Sequence, residues 1–238
     1  MSDPRATGGD RRAPVVLAFD TAGSACSAAV GRGGTVLAHE WQEMRHGHAE
    51  ALLPMIDRVV SAAELDPSAI GRIAVSVGPG GFTGIRAGLA AAHGLALATG
   101  AQLIGVSSFA AVAALLPEAE GALLVALDSR REDPYAQLFV GGISFGEAAA
   151  VRPDDLARFV DAAIGEMPLR IAGDAAAAAA AALGTRSGVT LIGDTAPQAR
   201  GVLAAAKCPA LVTGARALYL RAPDVSFPKQ REPIGGRK

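Results

Sequence analysis

Aromatic residues and cysteines are scarce in this chain. Phe, Tyr and Trp together make up 4% of it, and Cys26 and Cys208 are its two cysteines. Two cysteines exclude a disulfide framework and suit a reducing, cytoplasmic setting. Few aromatics beside 50% hydrophobic residues and 29 glycines point to an α/β scaffold packed by alanine and aliphatic side chains. Net charge is nearly absent too, at -1 with a pI near 6.4. A protein that grips nucleic acid by itself needs clustered Lys and Arg against the phosphates, so that class is disfavoured. The C-terminal tail is the exception, with Lys229, Arg231, Arg237 and Lys238 close together; such tails are mostly solvated. Residues 1–13 have no apolar stretch of the kind a signal peptide needs. Residues 87–117 contain no Asp, Glu, Lys or Arg, but Gly94, Thr99-Gly100, Gln102 and Gly105 to Ser108 divide them into helix, strand and helix. A membrane span is therefore not expected. A length of 238 residues suits one large domain or two small ones.

Several catalytic signatures are also missing. There is no Gly-x-Ser-x-Gly elbow, no Cys-His pair of recognisable spacing and no Gly-x-Gly-x-x-Gly dinucleotide fingerprint. What the chain does have is Val75-Ser-Val-Gly-Pro-Gly-Gly-Phe-Thr-Gly-Ile-Arg86, where a β-branched run gives way to a glycine loop and then to helical composition. No Lys-Ser/Thr follows, so this is not a Walker loop. Two readings stay open. Gly78, Gly80, Gly81 and Thr83 could cradle an anion at a helix N-terminus, or the segment could be a tight strand-to-helix turn without a ligand. His46, His48 and Glu50 invite a metal reading, but positions i and i+2 diverge on a helix. Two exposed histidines at a helix start are the expectation.

The order of elements suggests a duplication. Strands are expected at Val15–Asp20, Cys26–Val30 and Thr35–Trp41. A helix at 48–64, a strand at 72–77, a helix at 83–98, a strand at 102–106 and a helix at 107–116 follow. From Leu123 the pattern restarts: Leu124-Val-Ala-Leu-Asp-Ser129 echoes Val16-Leu-Ala-Phe-Asp-Thr21, and Tyr135–Val140 echoes Cys26–Val30. Helices at 153–164, 174–183 and 197–206 then alternate with strands at 169–172 and 189–192. Two halves with a cleft between them would present Asp20-Thr21 and Asp128-Ser129 at the carboxyl edges of their sheets. Those pairs could hold phosphates or a hydrated metal, or simply cap the strand ends. In the first half both helices are apolar on more than one side, and Pro54 predicts a kink or an irregular first turn in helix 48–64. Either a partner subunit covers the second side, or both sides are buried within the chain.

The strings Leu17-Ala-Phe-Asp-Thr-Ala22, Cys26-Ser-Ala-Ala-Val30, His48 to Asp57, Gly78 to Arg86, Gly94 to Ala98, Ile104 to Ser108, Ala126 to Arg130 with Tyr135, and Tyr219-Leu-Arg221 resemble the TsaB (YeaZ) family. The likeness is dense over residues 15–140 and thin from about 145 to 210. The resemblance implies an α/β, actin-like ATPase (ASKHA) fold of two tandem ribonuclease-H-like halves. It divides the chain into an N-terminal extension (1–13), lobes at 14–117 and 118–222, and a basic tail (223–238). It also implies a non-catalytic cytoplasmic subunit that works with a TsaD-like transferase and a TsaE-like ATPase. That assembly carries threonylcarbamoyl onto the tRNA adenosine beside the anticodon. The chain would meet tRNA only through the complex and form a homodimer when TsaD is absent. The TsaD paralogue has a His-x-x-x-His metal pair where Ser108 and Val112 stand here. Ala49, Leu52, Leu53, Ile56, Val60, Ile85, Gly88, Leu89 and His93 would form the partner face. Asp20, Thr21, the glycine loop and Asp128 would line a nucleotide cleft, with ATP or ADP and magnesium as its ligands at the level of the complex. The alternative is an autonomous kinase or ATPase using Asp20 and Asp128.

Overall fold

The structure is a computed structural model and describes residues 13–193 and 195–221. The expected extension before Ala13 and the basic tail from residue 223 lie outside the described residues. The chain opens with an antiparallel meander of β1 (Val15–Asp20), β2 (Ala25–Arg32) and β3 (Thr35–Glu43). Helix α1 (His48–Ala62) leads to β4 (Ile70–Ser76), which runs parallel to β1 with Leu17 opposite Ile73. Helix α2 (Phe82–Thr99), β5 (Gln102–Val106) and α3 (Ser108–Ala113) complete the first unit. The second unit repeats the sequence of elements: β6 (Ala122–Leu127), β7 (Tyr135–Val140), β8 (Ile143–Ala150), α4 (Pro153–Ile164), β9 (Leu169–Ala172), α5 (Ala176–Ala182) and β10 (Val189–Gly193). Helix α6 (Ala199–Ala205) and the short β11 (Val212–Thr213) close the described chain.

The two sheets have the same strand order. Leaving β11 aside, the first reads β3-β2-β1-β4-β5 and the second β8-β7-β6-β9-β10. Three antiparallel strands followed by two parallel ones, with helical crossovers, make the ribonuclease-H-like unit. Its duplication gives the actin-like fold. Central β6 is buried at every position, as a strand covered on both faces must be. The edge strands β3 and β8 are largely exposed. Strand β8 has Gly146 and Glu147 in its middle and spends apolar residues on both sides, so its sequence lacks a clean strand alternation. Helix α1 continues through Pro54 as a single element.

Each sheet carries its own core. In the first, Leu52, Met55, Ile56, Val59 and Val60 of α1 pack on Leu17, Phe19, Ile73 and Val75. In the second, Leu156, Val160 and Ile164 of α4 pack on Leu124, Leu138 and Ile171. Helices α3 and α6 join the lobes. Ala110 and Ala111 of α3 and Val202 and Leu203 of α6 share a cluster with Ala18 and Ala74 of the first sheet. Phe109 and Val112 of α3 instead enter a cluster with Leu123, Val125 and Phe139 of the second. Although α6 follows the second unit in sequence, it packs on the first sheet, and β11 pairs with β5.

The seating of α2 is set by the turn after β1. A Cβ at Gly84 would lie 1.9 Å from the Thr21 carbonyl oxygen, one at Gly80 2.3 Å from that of Ala22, and one at Gly88 2.5 Å from the Thr21 hydroxyl. Within α2, Gly84 and Gly88 are four residues apart and so lie on one stripe against the Thr21-Ala22 turn, which Gly80 meets from the loop before the helix. Two hydrogen bonds fix the contact: Thr21 Oγ1 donates to the Gly84 carbonyl at 2.8 Å, and the Gly81 amide donates to the Ala22 carbonyl at 2.7 Å. Gly94 has nothing within 4 Å of its Cβ position, so it lacks the close packing expected to offset its helical cost. Gly84→Ala is therefore expected to cost about 2–3 kcal/mol, while Gly94→Ala stabilises by about 0.5–1 kcal/mol. Urea denaturation of both variants checks this; equal effects would contradict the packing described.

Candidate functional site

The carboxyl edges of β1 and β6 face a cavity of about 330 Å³ between the lobes. Gly23, Ser24, Gly81, Asp128, Ser129 and Asp174 are among its walls. Both parent strands end in the same local device. Asp20 Oδ1 accepts from the Ala22 amide at 3.2 Å, and Asp128 Oδ1 accepts from the Arg130 amide at 2.7 Å. Each aspartate thus bonds the backbone two residues on and turns the chain out of the sheet. The strand-capping reading accounts for that bond in both halves. The Asp128 amide is held in turn by Asp174 Oδ1 at 2.8 Å, and Ser129 Oγ donates to the Asp133 carbonyl at 2.6 Å. Arg130 sits at φ 59, a left-handed conformation uncommon for arginine.

The halves differ in exposure. Asp20 is 1% exposed, whereas Asp128 is open to solvent. Burial pushes the Asp20 carboxyl up from its ordinary range. The nearby Ser76 hydroxyl and the Ala22 and Gly23 amides pull the other way, and the Asp174 carboxylate adds to the rise. Asp20 Oδ2 and Ser76 Oγ are buried without hydrogen-bond partners. Thr21 is buried with its hydroxyl committed to Gly84.

The glycine loop has its inner side filled by its own chain, since Ala22 occupies the space opened at Gly80. Gly78 is buried at φ 100, and a Cβ there would meet Ile85 and the Leu218 carbonyl. Gly80 and Gly81 line the cavity with their other side, and Thr83 is exposed at the start of α2. His46 is exposed and His48 half-buried at the start of α1. Burial and the charge of Arg130 lower the His48 pKa. Among the described residues no three His, Cys, Asp or Glu side chains gather closely enough to share a metal ion.

A segment that the sequence reading named only within the resemblance borders the same cleft. After β11 the chain runs back along the loop, where the Leu218 amide donates to the Val77 carbonyl at 2.8 Å. The Tyr219 ring lies 5.3 Å from that of Phe82, with the Arg86 guanidinium 3.6 Å over Phe82. Leu220 then joins the second lobe's cluster, and Arg221 pairs with Asp133 beneath the ring of Tyr135. Residues 218–221 thus tie the first lobe's loop to the second lobe's meander. The only sequence signal for this strap is the string Tyr219-Leu-Arg221.

The expected partner face divides in two. Leu52, Ile56, Val60 and Ile85 are no more than 6% exposed and belong to the lobe's own interior, and Gly88 is buried against Thr21. As members of an open face these five are corrected: the periodicity found the stripe that packs on the sheet. Ala49 and Leu53 of α1 and His93 of α2 are exposed, and Leu89 is half-buried. Leu97, which the sequence reading did not single out, is 88% exposed. Leu89, His93 and Leu97 stand one turn apart along α2, and Ala49 and Leu53 one turn apart along α1, a helix that touches α2. His93 also reaches toward the Ala215 carbonyl at 3.3 Å.

Residues 36–213 match the family model described as TsaD, tRNA N6-adenosine threonylcarbamoyltransferase. The chain is 36% identical over 146 residues to the Escherichia coli K12 tRNA threonylcarbamoyladenosine biosynthesis protein TsaB, an alignment spanning 58% of this chain and 63% of that one. The Bacillus subtilis protein of the same name is 28% identical over 124 residues, covering 52% of this chain and 54% of its own. The chain thus spans less than two thirds of the length of these curated relatives. The solved structure of YeaZ from Pseudomonas aeruginosa matches with a TM-score of 0.73 and 26% identity, over 87% of this chain and all (100%) of that one. No described helix is long and apolar enough to cross a membrane.

The environment of Asp20 makes a pH prediction. A carboxyl whose pKa is raised on folding weakens the fold as pH climbs from its ordinary value of 3.8 toward the raised one, then levels off. Asp20→Asn keeps the bond from Ala22, supplies an N–H toward Ser76 and removes the buried charge. Its stability relative to the unaltered protein should therefore rise through that window and plateau above it. Urea denaturation at a series of pH values measures the difference. A difference that does not change with pH would contradict the assignment.

Proposed function

The chain belongs to the family that the TsaD model describes and, within it, to the TsaB (YeaZ) family, and from that premise we propose that it is a non-catalytic subunit in the threonylcarbamoylation of tRNA. It works with a TsaD-like transferase and a TsaE-like ATPase in modifying the adenosine beside the anticodon. The observation that carries this reading is the state of Ser108 and Val112. These stand where the resemblance puts the metal-binding histidines of the catalytic paralogue. Both are completely buried, and Val112 is packed among Phe109, Leu123 and Val125. An aliphatic side chain in that cluster has no lone pair to offer a metal.

The alternative, an autonomous kinase or ATPase, draws on the interlobe cavity. Its volume, about 330 Å³, lies at the low end for small-molecule sites. Asp20 does not fit a magnesium ligand, because it is sealed from that cavity and its burial favours the neutral acid. Asp128 already caps its own turn, and no lysine lines the loop. The accessory reading is the better supported.

The partner face is the ridge of Leu53, Leu89, His93 and Leu97. A specific interface buries about 800 Å² per partner, within reach of two helices of 15 and 18 residues. A second copy of this chain takes the same face when the transferase is absent. Leu53→Asp with Leu97→Asp alters exposed side chains and should leave the fold intact. In gel filtration with the matching TsaD-like protein, the unaltered chain is expected to co-elute and the double variant to run alone. A complex that survives both charges would contradict the reading.

A further inference from the structure

The strap that closes the described chain begins at the proposed partner face and ends at the interlobe cleft. Before it, Val212 and Thr213 are anchored as β11 on β5. Ala215 then packs against the first lobe's core, as Leu89 does, and its carbonyl lies 3.3 Å from His93 Nε2. His93 belongs to the exposed ridge of α2, so its ring stands between that ridge and the strap. From there the chain runs back along α2 toward the first turn of the helix. Leu218 meets the start of the glycine loop, its amide on the Val77 carbonyl and its own carbonyl 2.8 Å from the Cβ position of Gly78. Tyr219 lies against Phe82, the first residue of α2. Two residues further on, the strap has crossed to the second lobe. Leu220 joins the cluster of Leu123, Val125 and Phe139, and Arg221 pairs with Asp133.

The far end of the strap holds a strained loop. Between β6 and β7, Asp128, Ser129, Arg130 and Arg131 line the interlobe cavity, and Arg130 adopts φ 59 there. A side-chain-bearing residue in the left-handed region carries a cost that persists only where surrounding contacts sustain it. Inside the loop, Asp128 accepts from the Arg130 amide, and Ser129 donates to the Asp133 carbonyl. From outside, Asp174 holds the Asp128 amide at one end and Arg221 holds the Asp133 carboxylate at the other. Arg221 and Asp133 are both partly buried, where an ion pair is screened less than on open surface. The strap is thus a clamp on the β7 end of this loop.

We propose that residues 215–221 couple the partner face to the interlobe cleft. A protein that covers His93 changes the ring's hold on Ala215, and the strap passes that change to the loop at 128–133. The inference rests on the partner face proposed above. Coupling of this kind needs one element with two arrangements that both ends bias. The loop supplies it. With the Arg221 clamp in place Arg130 is held left-handed, and with the clamp loosened the loop relaxes and the cavity wall moves. The effect is reciprocal, so releasing Arg221 at the cleft alters binding at the ridge.

The test is backbone amide NMR of the isotopically labelled full chain, with each variant shown folded by circular dichroism. His93→Leu removes the ring nitrogen at an exposed position and is expected to shift the amides of 215–221 and, in the second lobe, those of 128–133. His93→Gln keeps an N–H donor and should move the second-lobe amides much less. Leu97→Ala, one turn along the same ridge, should leave them unmoved. With Arg221→Ala as background, His93→Leu should still shift the amides around Ala215 but no longer those of 128–133. The matching TsaD-like protein, added to the unaltered chain, should shift 128–133, and Arg221→Ala should change its affinity by about fivefold or more. Second-lobe amides that His93→Leu does not move, or moves equally in the Arg221→Ala background, overturn the coupling. So does an affinity that Arg221→Ala leaves unchanged. A chain that does not bind the TsaD-like protein contradicts the partner face instead, and the comparisons among variants, made without a partner, still read the coupling.

Discussion

The geometry of the first lobe depends on the contact between the Thr21-Ala22 turn and the glycine stripe of α2. Glycine inside a helix costs about 0.5–1 kcal/mol relative to alanine, and the stripe spends that at Gly84 and Gly88. In return the backbone of the turn lies against the helix, with Thr21 Oγ1 on the Gly84 carbonyl and the Gly81 amide on the Ala22 carbonyl. Three consequences follow from this one approach. The inner side of the glycine loop is filled by protein. Asp20, one residue before the turn, is sealed from solvent. The opposite side of α2, with Leu89, His93 and Leu97, is left facing outward. A segment with the look of a phosphate loop thus works chiefly as a joint between a strand and a helix.

Duplication reaches below the level of strand order. Each first strand leads into an aspartate, Asp20 at the end of β1 and Asp128 just after β6, that accepts from the amide two residues later. The copies have diverged in what surrounds that turn: Asp20 is enclosed by the glycine stripe, while Asp128 stands in the cleft. The lobes are joined by α3, which faces both sheets, by α6, which returns to the first, and by the strap at residues 218–221. These three connections place the cleft wall, the loop and the second meander in fixed relation, as a scaffold that presents surfaces requires.

Much of this was legible in the sequence. The strands at Val15–Asp20, 102–106, Tyr135–Val140 and 169–172 have the bounds read from their apolar runs, because buried strands bounded by turn residues leave a sharp pattern. The internal repeat was visible in Val16-Leu-Ala-Phe-Asp-Thr21 and Leu124-Val-Ala-Leu-Asp-Ser129. Edge strand β8 and the two-residue β11 were not, since a half-exposed edge and a short pairing leave little periodicity. The partner of the glycine stripe lies some 60 residues away in the chain, a separation over which a local pattern carries no information. The faces of α1 and α2 were misassigned for a related reason. Both helices are apolar on several sides, and periodicity finds the strongest stripe, which is the one the sheet buries. Leu97 sits outside that stripe and is visible only once the sheet's position is known.

The most direct measurement is threonylcarbamoylation of a tRNA transcript by the matching TsaD-like and TsaE-like proteins, supplied with the threonylcarbamoyl adenylate and ATP, with and without this chain. An accessory subunit whose Ser108 and Val112 have become core residues should give no modification alone, yet be required for modification by the others. Full modification in its absence, or transfer by this chain alone, would contradict that account.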